Sequence, residues 1–259
     1  MNNKRISHHS DGKLIHQERS GNQHRQVRQD KELRWLHFGD HDIQAVIDLA
    51  QPHQLILPYS FGMLSALLYQ PEPITCLNLG VGGGSFERFF AHRLPRLRVT
   101  SLESDVNVIR LARDYFMLPP QQPVIVDDAS HFLVRHQGSY DLIFCDIHQG
   151  DNHPECLSDS QFHAAAFGCL NQDGVYAINL LPHNYSHLVT VLMRLRDSFS
   201  DVLVLDIPER RNLILFALKQ PPPERNILTQ RLSMLTKQFH MPAQQLRIPK
   251  TALPPREPH

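Results

Sequence analysis

The stretch from residue 75 to residue 103 constrains the fold more than any other part of the chain. A short apolar run leads into three consecutive glycines at 82–84, and an amphipathic run follows them. A second apolar run then ends in Glu103. This order of strand, glycine turn, helix, strand and acid predicts a βαβ unit with a ligand site at the glycine turn.

The residue types in this stretch are those of a nucleotide-type site. Glycines let the backbone turn sharply and let a ligand approach the main chain. The start of the helix leaves N–H groups free for polar ligand atoms. Glu103, at the tip of the next strand, has the right place to accept both hydroxyls of a ribose. A tight turn in any α/β protein is the alternative interpretation, and the spacing of Glu103 disfavours it.

Strand and helix patterns alternate regularly from residue 75 to residue 218. The last two strands, at 202–205 and 212–218, lie too close together for a crossover helix and must pair antiparallel. We therefore predict an α/β fold with a Rossmann-like, seven-stranded, mostly parallel sheet. Its last strand is antiparallel, and a small N-terminal β unit precedes it.

The composition of the chain divides it into four segments. Residues 1–30 are polar and of mixed charge, which predicts a flexible N-terminal segment. Residues 31–70 contain short apolar runs and turns, which predict a small β unit, a hairpin or three-stranded meander, and a connecting helix. Residues 71–220 form the α/β domain. Residues 221–259 begin with three prolines and predict a C-terminal helix and tail.

Several classes of protein are disfavoured by composition. The 26 Lys and Arg residues balance the 26 Asp and Glu residues, which argues against a nucleic-acid partner bound by bulk charge. No apolar run is long enough for a membrane span, and the first thirty residues do not resemble a secretory signal. We expect a cytoplasmic protein whose four cysteines are free thiols. These are Cys76, Cys145, Cys156 and Cys169.

Acids follow three successive strands of the predicted sheet after the glycine turn. They are Glu103, Asp127 with Asp128, and Asp146. Capping of the following helix is the alternative role, in part, for Asp128. Together the acids suit a ligand with a diol, an amine and a positive charge, such as S-adenosylmethionine or its decarboxylated form. A nicotinamide dinucleotide fits less well, because Ser85 stands where G-x-G-x-x-G needs its third glycine.

Four motifs carry a resemblance to a known family. They read LNLGVGGGSFERFF, VTSLESDVNVIRLARDYF, VIVDDASHFL and YDLIFCDI. The chain resembles the spermidine synthases, or polyamine aminopropyltransferases, whose catalytic domain has the class I S-adenosylmethionine-dependent methyltransferase fold. The resemblance covers residues 33–218, and the β unit at 33–60 is similar to the small domain that precedes the catalytic domain in that family.

The resemblance implies roles for five residues around the donor. Gly80 and Gly82 would shape the loop that holds the cofactor. Glu103 would bind the ribose hydroxyls, and Asp128 with Ala129 would meet the adenine.

The resemblance also places Asp146 at the reaction centre, where it would help to deprotonate the attacking amine. The chain departs from the family at two acids. Gly83 stands where the glycine motif of the family has the acid that binds the aminopropyl amine, and Gln149 stands where the loop after Asp146 has its second acid. Loss of two partners for an ammonium would cost roughly two to four decades of diamine affinity.

The loop after Asp146 and one upstream tyrosine are the candidates for substrate contacts. We assign Tyr59, His148, Gln149 and Asp151 to this group, with His148 or His153 as an additional base. A metal site that uses His148, Asp151, His153 and Cys156 is the alternative, but their spacing matches no standard site, so no metal is predicted.

The hypothesis from the sequence is a spermidine synthase-like transferase. It would bind S-adenosylmethionine or decarboxylated S-adenosylmethionine and transfer an aminopropyl group to an amine. The alternatives are an S-adenosylmethionine-dependent methyltransferase and a non-catalytic relative that binds a nucleoside. The partners expected are a small-molecule donor and an amine acceptor, with no nucleic acid and no membrane, and the resemblance implies a homodimer.

Overall fold

The N-terminal part of the protein is a four-stranded antiparallel meander. The computed structural model describes residues 12–20, 23–38, 42–136, 138–147, 154–208, 210–242 and 244–252. Each strand of the meander pairs with the next one along the chain. The strands are β1 (Lys13–Ser20), β2 (Gln23–Asp30), β3 (Leu33–Phe38) and β4 (Asp42–Asp48).

Helices and strands then alternate through the larger part of the chain. The first half comprises α1 (Pro58–Leu64), a 3-10 turn (Ser65–Leu68), β5 (Thr75–Leu79), α2 (Ser85–Arg93), β6 (Arg98–Glu103), α3 (Val106–Tyr115), β7 (Val124–Val126), α4 (Ala129–Arg135) and β8 (Tyr140–Cys145). The second half comprises a 3-10 turn (Glu155–Ser158), α5 (Ser160–Gly168), β9 (Leu170–Leu180), α6 (Tyr185–Ser198), β10 (Asp201–Asp206), β11 (Leu213–Leu218), α7 (Arg225–Phe239) and β12 (Lys250–Thr251).

The second sheet has eight strands in the order β12-β10-β11-β9-β8-β5-β6-β7. Strands β5 to β9 pair in parallel, and β11 is reversed between β9 and β10. This confirms the predicted seven-stranded, mostly parallel sheet with an antiparallel last strand over β5 to β11. The two-residue β12, which the sequence did not predict, adds a short edge strand beside β10.

The sheet is buried on both faces, and β8 shows why its sequence is a continuous apolar run. Leu142 and Phe144 pack on the face covered by α2 and α7. Ile143 and Cys145 point to the other face, covered by α4, α5 and α6. A strand with two buried faces needs apolar residues at every position. Among the described residues, no helix has the length and apolar character needed to cross a bilayer.

The first two strands depart from the expected flexible segment at 1–30, since residues 13–20 and 23–30 form β1 and β2. Residues 1–11 lie outside the described residues. These strands carry little apolar alternation, so the sequence shows no strand signal. Their partners are distant in sequence: β2 pairs with β3, and Arg25 forms an ion pair with Asp105 at the start of α3. Polar strands are therefore held by contacts that a local pattern does not reveal.

The meander packs against α3 and so lies beside the carboxyl edge of the main sheet. Val27, Leu36 and Ile47 form an apolar cluster with Leu111 of α3 and Phe116 just after it. The predicted small β unit therefore packs directly against the larger domain. It has four strands, and not the hairpin or three-stranded meander that the sequence predicted. The division of the chain into separate domains stays a prediction.

We expect Arg25→Met to lower the free energy of unfolding by about 2 kcal/mol. Arg25 is 1% exposed and pairs with both Asp105 and Glu18, so its loss removes the cation that pairs with Asp105. Urea denaturation provides the measurement. Arg19→Met, on an exposed position of β1, is the control and should stay within about 0.5 kcal/mol of wild type. Equal stability of the two variants would contradict the role given to Arg25.

Candidate functional site

A pocket lies at the carboxyl edge of the parallel strands, where β5 has β6 on one side and β8 on the other. Such a switch in strand order is where open α/β sheets bind ligands. The pocket brings together all the predicted site residues that the structure describes. They are Tyr59, Gly80, Gly82, Gly83, Glu103, Asp128, Ala129 and Asp146. The other three, His148, Gln149 and Asp151, lie outside the described residues.

The glycine turn fits closely between its neighbours. Gly80 and Gly82 have φ angles of 91° and 52°, which favour glycine. A Cβ atom on Gly80 would lie 2.3 Å from the carbonyl oxygen of Asp146. A Cβ atom on Gly83 would lie 2.5 Å from the Cβ atom of Ala45 in β4. The turn therefore contacts the end of β8 on one side and the meander on the other.

Glu103 is tied to the glycine turn by main-chain hydrogen bonds. Its carboxylate accepts from the backbone N–H groups of Val81 at 3.1 Å, Gly82 at 3.4 Å and Asp105 at 3.1 Å. Burial raises the pKa of Glu103, and these three donors oppose the rise. A carboxylate has about four acceptor positions, and the exposed hydroxyl of Ser104 donates to the fourth at 3.5 Å.

Asp128 is the N-cap of α4. Its Oδ1 atom accepts from the backbone N–H groups of Ser130 at 2.8 Å and His131 at 3.3 Å. The capping role weighed from the sequence is therefore confirmed for this oxygen. The cap does not need Oδ2, so Asp128 can combine capping with a contact in the pocket. Its neighbour Asp127, also on the pocket, forms an ion pair with Arg135.

Asp146 is held by side chains from two different elements. Its Oδ1 atom accepts from Nδ2 of Asn179 in β9 at 2.7 Å, and the hydroxyl of Tyr59 in α1 bonds to its carboxylate. Burial, the Asp146 charge and this hydrogen bond raise the pKa of Tyr59 well above its usual value. The phenol therefore stays protonated and donates to Asp146.

Two asparagines near Asp146 were missed by sequence reasoning. Asn179 lies in β9 and is 1% exposed, and its Oδ1 accepts from Nδ2 of Asn212 at 2.9 Å. Asn179 is the polar residue in the otherwise apolar run 175–181, which is a signal that could have identified it. Asn212 precedes β11, and nothing local in the sequence links it to Asn179.

The buried carboxyl group of Glu87 stabilises the glycine turn through the side chain of Asn78. Oε1 of Glu87 accepts from Nδ2 of Asn78 at 2.7 Å and from the hydroxyl of Ser101 at 2.7 Å. Nδ2 of Asn78 also donates to the carbonyl oxygen of Gly80 at 3.2 Å. Burial raises the pKa of Glu87, although these hydrogen bonds lower it. Sequence reasoning missed this group because a glutamate on an amphipathic helix usually faces solvent.

Arg88 fixes the same turn from the side of the meander. Its guanidinium donates to the carbonyl oxygens of Gly83, Phe116 and Pro52, the last at 2.7 Å. Burial lowers the pKa of Arg88 to about 10, so it remains a cation at neutral pH. Two consecutive residues in the first turn of α2, Glu87 and Arg88, therefore both stabilise the glycine turn.

The site can therefore bind a cation through several carboxylates. Glu103, Asp127, Asp128 and Asp146 line one pocket with apolar side chains such as Val108 and Phe38 between them. No group of three His, Cys, Asp or Glu residues that could hold a metal ion occurs in the part of the chain that the structure describes. The four cysteines are free thiols, as predicted, and Cys156 lines the pocket.

Comparison with known proteins gives relatives of one main kind, although no family model matches the sequence. The polyamine aminopropyltransferase of Chromobacterium violaceum is 28% identical over 201 residues, which are 76% of this chain and 77% of that protein. The resemblance to the spermidine synthase family is confirmed. The mouse (Mus musculus) eEF1A lysine and N-terminal methyltransferase is 28% identical over 184 residues, 64% of this chain and 26% of that protein.

Solved structures confirm the spermidine synthase-like fold. A probable spermidine synthase from Corynebacterium glutamicum has a TM-score of 0.74 and 20% sequence identity, and the match covers 87% of each chain. Human methyltransferase-like protein 13, in complex with SAH, has a TM-score of 0.67 and 20% identity. That match covers 72% of this chain and 94% of the human one.

We expect Gly80→Ala to destabilise the protein by about 3 kcal/mol. The new methyl group would meet the main chain of Asp146, which cannot move aside, at a φ angle that disfavours alanine. Chemical denaturation measures the loss. Gly168→Ala is the matched control, because nothing lies within 4 Å of a Cβ atom there. Comparable stability of the two variants would show that the turn is looser than described.

We expect Glu87→Gln to remove a pH-dependent loss of stability. Because the folded state raises the pKa of Glu87 above its usual 4.5, the wild type loses free energy of unfolding as pH rises from that value through the folded pKa. Glutamine keeps one carbonyl oxygen, which can accept both hydrogen bonds that Oε1 of Glu87 accepts, and it has no charge. The measurement is urea unfolding at several pH values, with Glu72→Gln, at an exposed position, as the control. Parallel pH curves for wild type and Glu87→Gln would contradict the assignment.

Proposed function

We propose that this protein is a transferase that moves an aminopropyl group from an adenosyl sulfonium donor to an amine. The observation that carries the proposal is the convergence of Glu103, Asp128 and Asp146 on one pocket beside the glycine turn. The polyamine aminopropyltransferases among its relatives support the same activity.

The pocket offers a partner for each part of such a donor. Glu103 would accept from the ribose hydroxyls, which would displace the 3.5 Å hydrogen bond from the Ser104 hydroxyl. Asp128 with Ala129 lies where the adenine amine would bind. The apolar side chains of Val108 and Phe38 provide contact for the base. When bound, the donor supplies an electrophilic carbon next to a positive sulfur that leaves as a neutral thioether. The carboxylates of the pocket favour that positive charge.

Asp146 would act on the acceptor amine. An alkylamine is protonated at neutral pH and then has no free lone pair, so a group must take a proton from it before it attacks. Asn179 and the hydroxyl of Tyr59 hold the carboxylate of Asp146 at the pocket, where it would meet the amine. Hydrogen bonding to Asp146 would aim the amine lone pair at the carbon, and alignment of the two reactants supplies much of the rate.

Methyl transfer is the second candidate, and the contact at Gly83 favours it. The family acid for the aminopropyl amine belongs at this position, and Ala45 fills the space that any side chain there would need. The tail of the donor therefore meets no carboxylate from residue 83. The methyltransferase among the relatives is consistent with this candidate. A homodimer and a cytoplasmic location stay predictions.

Calorimetry with the two donors tests the proposal first. S-adenosylmethionine, decarboxylated S-adenosylmethionine and methylthioadenosine are titrated separately, and failure of all three to bind at sub-millimolar concentration refutes the enzyme. An amine screen read by mass spectrometry then identifies the reaction. A mass increase of an aminopropyl group supports the first candidate, and that of a methyl group supports the second.

We expect Asp146→Asn to reduce the transfer rate by about 10²–10⁴-fold while donor affinity changes little. An amide cannot take the amine proton, but the adenosine contacts at Glu103 and Asp128 remain. Single-turnover rates and donor titrations measure the two effects. Asp173→Asn, an exposed position of β9 away from the pocket, is the control. A fully active Asp146→Asn enzyme would refute the role.

A further inference from the structure

Two side-chain amides form a hydrogen-bonded chain behind Asp146. Nδ2 of Asn179 donates to Oδ1 of Asp146 at 2.7 Å, and Nδ2 of Asn212 donates to Oδ1 of Asn179 at 2.9 Å. The two asparagines, called the amide pair below, come from neighbouring antiparallel strands: Asn179 lies in β9, and Asn212 directly precedes β11.

The hydrogen bonds of the amide pair run in one direction, because each amide has a donor end and an acceptor end. An amide presents two N–H donors at one end and a carbonyl acceptor at the other. If Asn179 were turned over, its carbonyl oxygen would face the ionised carboxylate of Asp146, and two acceptors would meet. Asn212 stabilises the donating orientation because it supplies a donor to the Asn179 carbonyl. The chain of two amides therefore presents an N–H donor, and not a carbonyl oxygen, to Oδ1 of Asp146.

The side chain of Asn179 is buried in the interior and does not lie at the protein surface. It is 1% exposed, and its neighbours along β9, Ile178 and Leu180, are fully buried. A polar side chain in a buried strand costs stability unless its hydrogen bonds are satisfied. Here both ends of the amide are satisfied by Asp146 and Asn212, so the polar group is tied specifically to the carboxylate of the pocket.

We propose that Asn179 is a positioning residue that holds Asp146 as a hydrogen-bond acceptor aimed into the pocket, and that Asn212 fixes the orientation of Asn179. The kinetic part of this inference rests on the proposed function. The structural part concerns Asp146 itself and can be measured in the absence of any substrate.

Other ionisable groups also lie near Asp146. Tyr59 donates to it from α1, and Cys145 precedes it in β8. The remaining ionisable side chains on the same pocket are Glu103, Asp127, Asp128 and Cys156. All of these are unchanged when Asn179 is replaced, so a difference between variants reports the amide alone.

The same strand offers a matched control. Nδ2 of Asn171 donates to Oδ1 of Asp141 at 2.7 Å, between the same strands β9 and β8 but at their other end. Asn171→Leu removes an asparagine–aspartate hydrogen bond of equal length, yet it lies away from the pocket. Any effect of Asn179→Leu that Asn171→Leu lacks is therefore specific to the site.

The experiment measures the titration midpoint of the Asp146 carboxyl by ¹³C NMR, with Asp146→Asn used to assign its signal. We expect Asn179→Leu to raise the midpoint by about one pH unit, because the carboxylate loses a donor. Asn179→Asp should raise it further, since a second acid then faces it. Asn212→Leu should give a smaller rise, and Asn171→Leu should leave the midpoint unchanged.

Activity supplies the second measurement. The acidic limb of the pH profile of kcat should move with the Asp146 midpoint, while KM for the donor stays within about twofold. A midpoint that is the same in wild type and Asn179→Leu overturns the inference, even if transfer is observed. Shifted midpoints in a protein that transfers nothing support the inference and count against the proposed function instead. If Asn179→Leu does not fold, an unchanged midpoint in Asn212→Leu, at a half-buried position, overturns the inference equally.

Discussion

Strands β5 and β8 approach each other so closely beyond their last pair that only a glycine fits between them. A side-chain carbon at Gly80 would lie 2.3 Å from the Asp146 carbonyl oxygen. That approach brings the glycine turn and the Asp146 carboxylate to the same pocket. Glu103 extends the arrangement, because it accepts hydrogen bonds from the turn and lies at the end of the neighbouring strand. The pocket is therefore a direct result of parallel pairing around β5.

Two buried ionisable side chains fix the backbone of the glycine turn. Glu87 and Arg88 are consecutive in α2, and both are almost fully buried. Glu87 holds the turn through Asn78, and Arg88 donates directly to the carbonyl oxygen of Gly83. Burial of such groups is costly. The cost is consistent with a site whose geometry matters more than the stability of the fold, as binding sites commonly show.

The parts of the structure that could be predicted are those with local causes. The apolar runs, the glycine turn and the acids after each strand lie within short stretches, and parallel pairing then brings Glu103, Asp128 and Asp146 to one edge. Strands β1 and β2 could not be predicted, since their polar sequences are stabilised by β3 and α3. Asn179 and Asn212 are brought together because β11 pairs with β9. The sequence predicts these strands but does not show which of their side chains meet.

The contact between the turn and the meander makes two distant positions depend on each other. A Cβ atom at residue 83 would lie 2.5 Å from the methyl carbon of Ala45 in β4. A chain with an acid at residue 83 would therefore need glycine at residue 45, or a shifted β4, to make room for it. The residue types that fit in the glycine turn are thus limited by the packing of the N-terminal sheet.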